Sequence, residues 1–293
     1  MMFSIIVVCL NAGEKLRETV ESIRKQTEPD YEIIIKDGGS SDAVTRRYLT
    51  RYGEAASVEE GASKEGQTDG RIRLYVSEDR GIYDAMNQAV RYIRGEYVLF
   101  LNCGDSFYDD NVLKHVKECI IRESGRAEEN HENRGAGRQH QIFYGNIYER
   151  LTGALVQSNP VIDDFACYRN VPCHQACFYG SGLLREKEFD TAYAVRADYE
   201  HFLWCYYEAR AVTVYMPVTV ALYEGGGFSE TRANAKRSKR EHRQIVDRYM
   251  PAAKAWKYRL IMGVTLAPLR TWIARNPVTA GLYQGIKRKL YQG

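Results

Sequence analysis

The sequence predicts an α/β fold in which helices cover both faces of a mostly parallel β-sheet. Short apolar runs of strand length recur through the first hundred residues, amphipathic stretches separate them, and a polar cluster follows each run. Near-continuous apolar strands are typical of sheets buried on both faces, and strand–helix alternation is typical of parallel sheets. The 293 residues suffice for one large domain or two modest ones.

The first elements alternate regularly. A strand is predicted at 3–10, and a helix at 14–26 follows, with Leu16, Val20 and Ile23 at helical spacing. The same patterns then predict a strand at 31–36, a helix at 43–52, a strand at 71–76, a helix at 82–93 and a strand at 97–101. Two polar stretches, 53–70 and 123–140, are predicted to be exposed loops with little function, because they lack large apolar residues.

The order of elements changes beyond residue 141. Strands are predicted at 142–148 and 151–157, mixed structure follows to about 228, and helices are predicted at 234–249 and over much of 252–275. We therefore expect a main domain at 1–230 and a basic C-terminal helical extension at 231–293.

Charge is unevenly distributed along the chain. The net charge is +3, yet nine Lys and Arg and no acid follow Asp247. Such a tail favours an acidic partner surface, and since no nucleic-acid-reading motif accompanies it, we expect a membrane rather than nucleic acid. The longest apolar run, at 260–269, is about half a bilayer span.

The cysteines indicate a reducing compartment. Seven are scattered without a CxxC pair, which favours buried, reduced thiols in a cytoplasmic protein. No signal peptide is visible. Cys167, Cys173, His174 and Cys177 cluster, but their spacing matches no zinc module, so zinc is the less favoured interpretation.

Four polar clusters follow the predicted strands, where open α/β sheets bind ligands. The clusters lie at 11–13 (NAG), 37–42 (DGGSSD), 77–81 (SEDRG) and 102–105 (NCGD). Each also has a structural interpretation, since Asp42 and Asp79 could cap the helices that follow them. Four acid- or amide-bearing strand ends in succession favour a binding site.

The motifs SIIVVCLNAG, IIIKDGGSSD, VSEDRGIYDAMNQAV, GEYVLFLNCGDSF, HQACFYG and ADYEHFLW resemble those of family 2 glycosyltransferases. The resemblance covers roughly 3–230. It implies an inverting enzyme of the GT-A fold, a Rossmann-like sheet with flanking helices, which transfers a sugar from a nucleoside diphosphate sugar, expected to be a UDP-sugar.

The resemblance also implies roles for the strand-end residues. Asp37 and Asp79 would accept hydrogen bonds from the base of the donor. Asp105 would bind Mn²⁺ or Mg²⁺ with donor phosphates and water, the usual habit of these ions. The first acid of the family's D-x-D motif is missing, so Asn102 or a main-chain group would contact the ribose. Residues expected to contact donor or acceptor are Leu10, Asn11, Asp37, Gly38, Asp79, Gly81, Asn102, Gly104, His174, Gln175, Gly226 and Gly227.

The catalytic base is expected in the ADYE motif. The resemblance assigns it to Asp198, with Glu200 as the second choice and helix capping as the structural alternative. His174 and Gln175 would lie beside the acceptor, although a hydrogen-bonded core histidine is an interpretation of nearly the same weight. The Gly-rich stretch 223–229 is either a loop that closes over the diphosphate or a linker.

The predicted acceptor is a hydroxyl of a saccharide or a lipid-linked saccharide in surface polysaccharide synthesis. Residues 250–293 would hold the enzyme on the inner face of the plasma membrane, or would pack on the catalytic domain as a helical cap. Two alternatives stay open: an inactive nucleotide-sugar-binding or scaffold protein of the same fold, and a sugar nucleotidylyltransferase.

Overall fold

The computed structural model describes residues 1–52, 56–57, 71–130, 138–225 and 231–264. The strands are β1 (Phe3–Cys9), β2 (Tyr31–Asp37), β3 (Ala56–Ser57), β4 (Ile72–Val76), β5 (Tyr97–Phe100), β6 (Ser106–Phe107), β7 (Gln141–Glu149), β8 (Ala154–Val156), β9 (Cys177–Gly180) and β10 (Val212–Tyr223). The helices are α1 (Glu14–Arg24), α2 (Ala43–Tyr52), α3 (Ile82–Val90), α4 (Val112–Asn130), α5 (Asp164–Arg169), α6 (Ser181–Glu186), α7 (Ala197–Tyr207), α8 (Arg232–Tyr249) and α9 (Ala252–Val264).

The strands form one mixed sheet in the order β3-β4-β2-β1-β5-β9-β7-β10-β6, with β8 paired to β7. β3, β4, β2, β1 and β5 run parallel, whereas β9 is antiparallel to both β5 and β7. β10 returns parallel to β7. The predicted mostly parallel α/β sheet is therefore confirmed.

The sheet is buried on both faces. Along β1, Ile6 and Val8 belong to one hydrophobic cluster, whereas Ile5 and Val7 belong to the other. This alternation follows from the two-residue period of a strand, and it explains why the run reads as continuously apolar.

Helix α4 corrects the prediction of a loop at 123–140. The helix continues to Asn130, and a 3₁₀ helix occupies Arg138–His140. Buried Val112, Val116 and Ile120 anchor the first turns. Arg, Glu and Ala then extend the helix, since elongating an existing helix is far easier than starting one. Within the predicted loop 53–70, only the short strand β3 lies among the described residues.

The hairpin after β7 is also tighter than predicted. The strand expected at 151–157 is β8, which spans only three residues, because Leu151–Gly153 form the turn. Gly153 has φ +63°, a left-handed conformation that glycine adopts without strain.

The described part of the C-terminal extension packs on the rest of the protein. Ile245 and Val246 from the end of α8, Met250 just after it, and Ala255 from α9 belong to the same buried cluster as α7. The boundary at 230 stays a prediction, and the extension beyond 264 lies outside the described residues. None of the described helices is long and apolar enough to cross a membrane.

Candidate active site

The carboxyl ends of β1, β2, β4 and β5 lie side by side at one edge of the sheet. β1 pairs with β2 on one side and with β5 on the other. The chain leaves β1 through α1 toward β2, whereas β5 is reached from α3, so the strand order reverses between β1 and β5. Open α/β sheets bind ligands at such a reversal. The predicted polar clusters therefore meet at one edge.

Asp37 ends β2, and its carboxylate organises the turn that follows. Oδ2 accepts the main-chain N–H groups of Gly39 and Ser40 at 3.1 and 2.9 Å, and Oδ1 accepts the Ser40 hydroxyl at 2.5 Å. The residue is 1% exposed. In this arrangement it is a turn acceptor. Contact with a nucleobase stays a prediction, and it would require the turn to open.

The end of β1 is tied to the same turn. Asn11 Oδ1 accepts the N–H groups of Ser41 and Asp42 at 2.8 and 3.1 Å. Asp42 in turn caps α2, since its Oδ1 accepts the Thr45 N–H at 2.8 Å, which confirms the structural interpretation of that residue. The Leu10 side chain is exposed, so it presents apolar surface at this edge.

Asp79 forms a buried ion pair with Lys36. The Lys36 ammonium lies 3.1 Å from Asp79 Oδ2 and also donates to the Ser77 carbonyl. Asp79 Oδ1 accepts the Gly81 N–H, so Asp79 braces the turn instead of capping α3. A Cβ on Gly38 would lie 2.6 Å from Asp79 Oδ2, so a side chain there would displace the Asp79 carboxylate. Base contact by Asp79 stays a prediction.

A cavity of about 490 Å³ adjoins this ion pair. Lys36, Asp79 and Arg80 line it together with residues of α3. Neither Asp105 nor Asp198 lines this cavity, so the cavity is separate from the part of the site that contains those two residues.

Asp105 is buried between two distant parts of the chain. Oδ1 accepts the Glu224 N–H at 3.0 Å, and Oδ2 accepts the Gln175 amide at 2.9 Å. The residue is 4% exposed, and burial raises the pKa of its carboxyl, a rise that these hydrogen bonds oppose. As arranged, this carboxylate does not fit a metal ligand, because both oxygens are engaged and shielded. Its assignment to Mn²⁺ or Mg²⁺ stays a prediction.

Asp198 lies at the centre of a hydrogen-bonded cluster. Oδ1 accepts the Tyr83 hydroxyl at 2.8 Å, and Oδ2 lies 3.2 Å from His174 Nδ1. Burial alone would raise the pKa of Asp198, but the hydrogen bond and charge of His174, aided by Tyr83, outweigh it and hold this pKa below its usual value. Asp198 belongs to the first turn of α7 but makes no cap, because the N-cap is Arg196 and it has no side-chain bond.

His174 joins this cluster to the end of β5. Its Nε2 lies 3.1 Å from Asn102 Nδ2. The ring therefore bridges Asn102 and Asp198 through its two nitrogens. The predicted residues Asn102, His174 and Asp198 are thus brought together. The His174 side chain is 16% exposed and hydrogen-bonded, and its place beside an acceptor stays a prediction.

Glu200 lies on the opposite side of α7 and is fully buried. Its carboxylate contacts Lys187 Nζ at 2.6 and 2.8 Å and accepts the Tyr249 hydroxyl at 2.5 Å. Arg248 lies 3.3 Å away. Residues two apart on a helix point about 200° apart, so Glu200 faces away from Asp198 into the protein interior, and its role as second candidate base stays a prediction.

The thiols of Cys173 and Cys177 are engaged in hydrogen bonds within the protein. Cys173 Sγ donates to the Gln175 side chain at 2.6 Å, and Cys177 Sγ donates to the Cys173 carbonyl. Burial raises the pKa of Cys173 to about 12, so the thiol stays protonated. No group of three potential ligands was found within the described ranges. The predicted loop residues Gly226 and Gly227 lie outside those ranges.

Three residues of this region were not predicted from the sequence. Tyr83 is the residue that holds Asp198, and only its place in the motif GIYDAMN pointed to it. Lys15 and Glu224 form an ion pair of 2.7 Å beside Gly104, although 209 positions separate them. No local pattern reveals such a contact.

Solved structures share this architecture. The chain resembles TarS (residues 1–349) from S. aureus with a TM-score of 0.55 and 17% identity, covering 93% of this chain and 78% of that one. Against a longer TarS chain the match spans 37% of that chain. A mannosyltransferase from Pyrobaculum calidifontis, in complex with GDP-Man and Mn²⁺, gives a TM-score of 0.57 at 15% identity, covering 99% of this chain and 87% of that one. The likeness confirms the GT-A fold.

Sequence comparison then defines the family. The model of glycosyl transferase family 2 matches residues 4–160. A PGL/p-HBAD biosynthesis glycosyltransferase, found in Mycobacterium bovis and Mycobacterium tuberculosis, is 32% identical over 78% of this chain and 80% of its own length. The chain belongs to glycosyl transferase family 2. It is a glycosyltransferase, and the nucleotidylyltransferase and inactive-scaffold alternatives are set aside.

Proposed function

We propose that the protein is an inverting glycosyltransferase that moves a sugar from a nucleoside diphosphate sugar to a hydroxyl of a saccharide or lipid-linked saccharide. One observation carries the proposal: Asp198 is an oriented carboxylate whose low pKa keeps it ionised at neutral pH. A general base must be held in place and ionised to take the proton of an acceptor hydroxyl, although a lowered pKa also makes it a weaker base.

Asp198 takes part in one step of the proposed reaction, the removal of the acceptor proton. The acceptor oxygen attacks the anomeric carbon from the face opposite the diphosphate, and the bond from that carbon to the diphosphate breaks with its electron pair. The acceptor proton passes to Asp198, whose oxygens retain free lone pairs beside the Tyr83 and His174 hydrogen bonds. Tyr83 and His174 hold the carboxylate in place.

The donor is proposed to be a UDP-sugar. TarS is known in complexes with UDP and with UDP-GlcNAc, whereas the mannosyltransferase holds GDP-Man, so likeness alone leaves the base open. Isothermal titration of UDP and GDP decides between them. Equal or absent binding of both would contradict a UDP-sugar donor.

A divalent cation, Mn²⁺ or Mg²⁺, is proposed as a requirement for transfer. The support is the Mn²⁺ in the mannosyltransferase complex, a protein of the same fold. Since Asp105 is shielded here, Asp105→Asn distinguishes its roles. If Asp105 binds the metal, the variant should bind nucleotide more weakly only when the cation is present. If Asp105 only holds the structure together, the variant should bind nucleotide more weakly to the same extent without the cation.

The proposed setting is cell-surface polysaccharide synthesis on the cytoplasmic face of the membrane. The mycobacterial relatives are named for PGL/p-HBAD biosynthesis, which supports a surface glycan. On α9, Trp256, Leu260 and Val264 are exposed at helical spacing, a face suited to a membrane interface.

Vesicle co-sedimentation tests this setting. Each basic residue near an anionic surface contributes about 1 kcal/mol, so full-length protein should pellet with anionic vesicles at low salt. The matched variant, Trp256→Glu with Leu260→Glu, keeps the packed helix and should pellet less. Equal pelleting of both proteins, or of neither, would contradict an anchor at α9.

A further inference from the structure

The turn after β5 lies beneath an ion pair. Gly104 has φ +101°, and a Cβ on it would lie 2.4 Å from Glu224 Oε2 and 3.4 Å from the Lys15 side chain. Lys15 belongs to the first turn of α1, and Glu224 follows β10. The two side chains meet over the turn with Nζ and Oε2 2.7 Å apart.

The pair is placed at the reversal of strand order. Lys15 follows β1 and Gly104 follows β5, the two strands between which a ligand of this fold is expected. A donor that enters this crevice brings a diphosphate of at least two negative charges. Lys15 lies beside Gly104 through its ion pair with Glu224, whereas Lys36 is committed to Asp79 inside the protein.

The pair is also easily exchanged. The side chains of Lys15 and Glu224 are 54% and 42% exposed. Exposed ion pairs contribute about 0–1 kcal/mol to stability, so a phosphate can replace the carboxylate at little cost. The Glu224 main chain is held by its hydrogen bond to Asp105, which leaves the side chain free to turn away while the backbone stays in place.

We propose that Lys15 binds the diphosphate of the donor and that Glu224 is its exchange partner, which the diphosphate displaces. The inference rests on the proposed nucleotide-sugar donor. Lys15 would then supply a positive charge beside the turn in which both carboxylate oxygens of Asp105 already accept hydrogen bonds. Glu224 thereby acts as a competitor of the donor for the lysine.

Nucleotide titrations with two charge-removing variants test this exchange. UDP and GDP are titrated by calorimetry into wild type, Lys15→Gln and Glu224→Gln, in chelator and again with Mn²⁺. Lys15→Gln should weaken binding about tenfold in chelator, because a hydrogen bond to a charged group is lost. Glu224→Gln should tighten binding up to about fivefold, because the competing charge is removed.

Matched controls come from α1. Glu18→Gln within α1 and Lys25→Gln at its C-terminal cap remove one exposed charge each and should change binding less than twofold. Thermal melting verifies that every variant is folded.

Three outcomes overturn the inference. Binding unchanged by Lys15→Gln excludes the lysine contact. If Glu224→Gln binds nucleotide more weakly than wild type, and does so only with Mn²⁺ present, Glu224 is a metal ligand instead. If wild type binds neither nucleotide while it melts as a folded protein, the nucleotide donor itself is excluded, which separates failure of the proposed function from failure of the lysine contact.

Discussion

Helix α7 carries two carboxylates, Asp198 and Glu200, whose surroundings predict opposite effects of neutral substitution. Asp198 is one-quarter exposed and lies at the site edge, bound to Tyr83 and His174. The Glu200 side chain has an exposure of 0% and contacts other protein groups instead of solvent. We expect Asp198→Asn to remove transfer with little loss of stability, and Glu200→Gln to lose stability with little loss of transfer.

The magnitudes follow from the contacts. Breaking a buried ion pair by removing one partner costs about 3–5 kcal/mol, and since Lys187 is 21% exposed we take about 3 kcal/mol for Glu200→Gln. For a chain of this length that is a fall in Tm of roughly 6 °C. Asp198→Asn weakens two hydrogen bonds of a partly exposed group, about 1 kcal/mol or roughly 2 °C. A lost general base lowers the rate about 10²–10⁴-fold.

Two assays on the same preparations measure both quantities. Release of nucleoside diphosphate from the nucleotide sugar in the presence of acceptor gives the turnover rate, and calorimetric melting gives Tm. Glu208→Gln, which removes an exposed acid just after α7, serves as the control and should alter neither. The assignment fails if Asp198→Asn transfers normally while Glu200→Gln is folded and inactive.

Three further predictions concern pH, packing and metal. Burial lowers the pKa of His201 to about 4, below its ordinary 6.5, so the unfolded chain binds a proton in this window that the folded chain does not. The free energy of unfolding should fall by about 3 kcal/mol between pH 6.5 and 4, and urea titrations should show a shallower fall in His201→Gln. Gly38→Ala forces a Cβ against Asp79 and should cost about 1–3 kcal/mol, whereas Gly125→Ala, which has open space on a helix, should stabilise by up to about 1 kcal/mol; equal Tm shifts would contradict the clash. Transfer should stop in excess chelator and return with Mn²⁺, and full activity in chelator would exclude the metal.

The order of elements could be predicted from the sequence because it rests on local patterns. The continuous apolar run of β1 requires burial on both faces, and the spacing of Leu16, Val20 and Ile23 requires one buried face of α1. The structure buries all of these residues. The strand-end clusters were predictable for the same reason, since the ends of parallel strands meet at one edge. Helix α4 was not predicted, and its part beyond residue 122 was predicted as a loop because that stretch of sequence lacks large apolar residues.

The candidate site was only partly predictable. Asp198 was found from its motif, and the separation of Asp198 from Glu200 was already implied by the helical period. The Tyr83 and His174 contacts that set the low pKa of Asp198 join residues 115 and 24 positions away. Their distance in sequence hides them from any local pattern.

The sequence by itself determined which strands end in acids, but the tertiary structure decided which groups those acids contact. Asp37, Asp79 and Asp105 look alike as strand-end carboxylates, yet each is enclosed by donors from its own turn or from another element. The reason is physical: a buried carboxylate must be satisfied by hydrogen bonds or a cation. Which groups supply them depends on the approach of distant segments, such as β10 and its Glu224, that only the folded chain brings together.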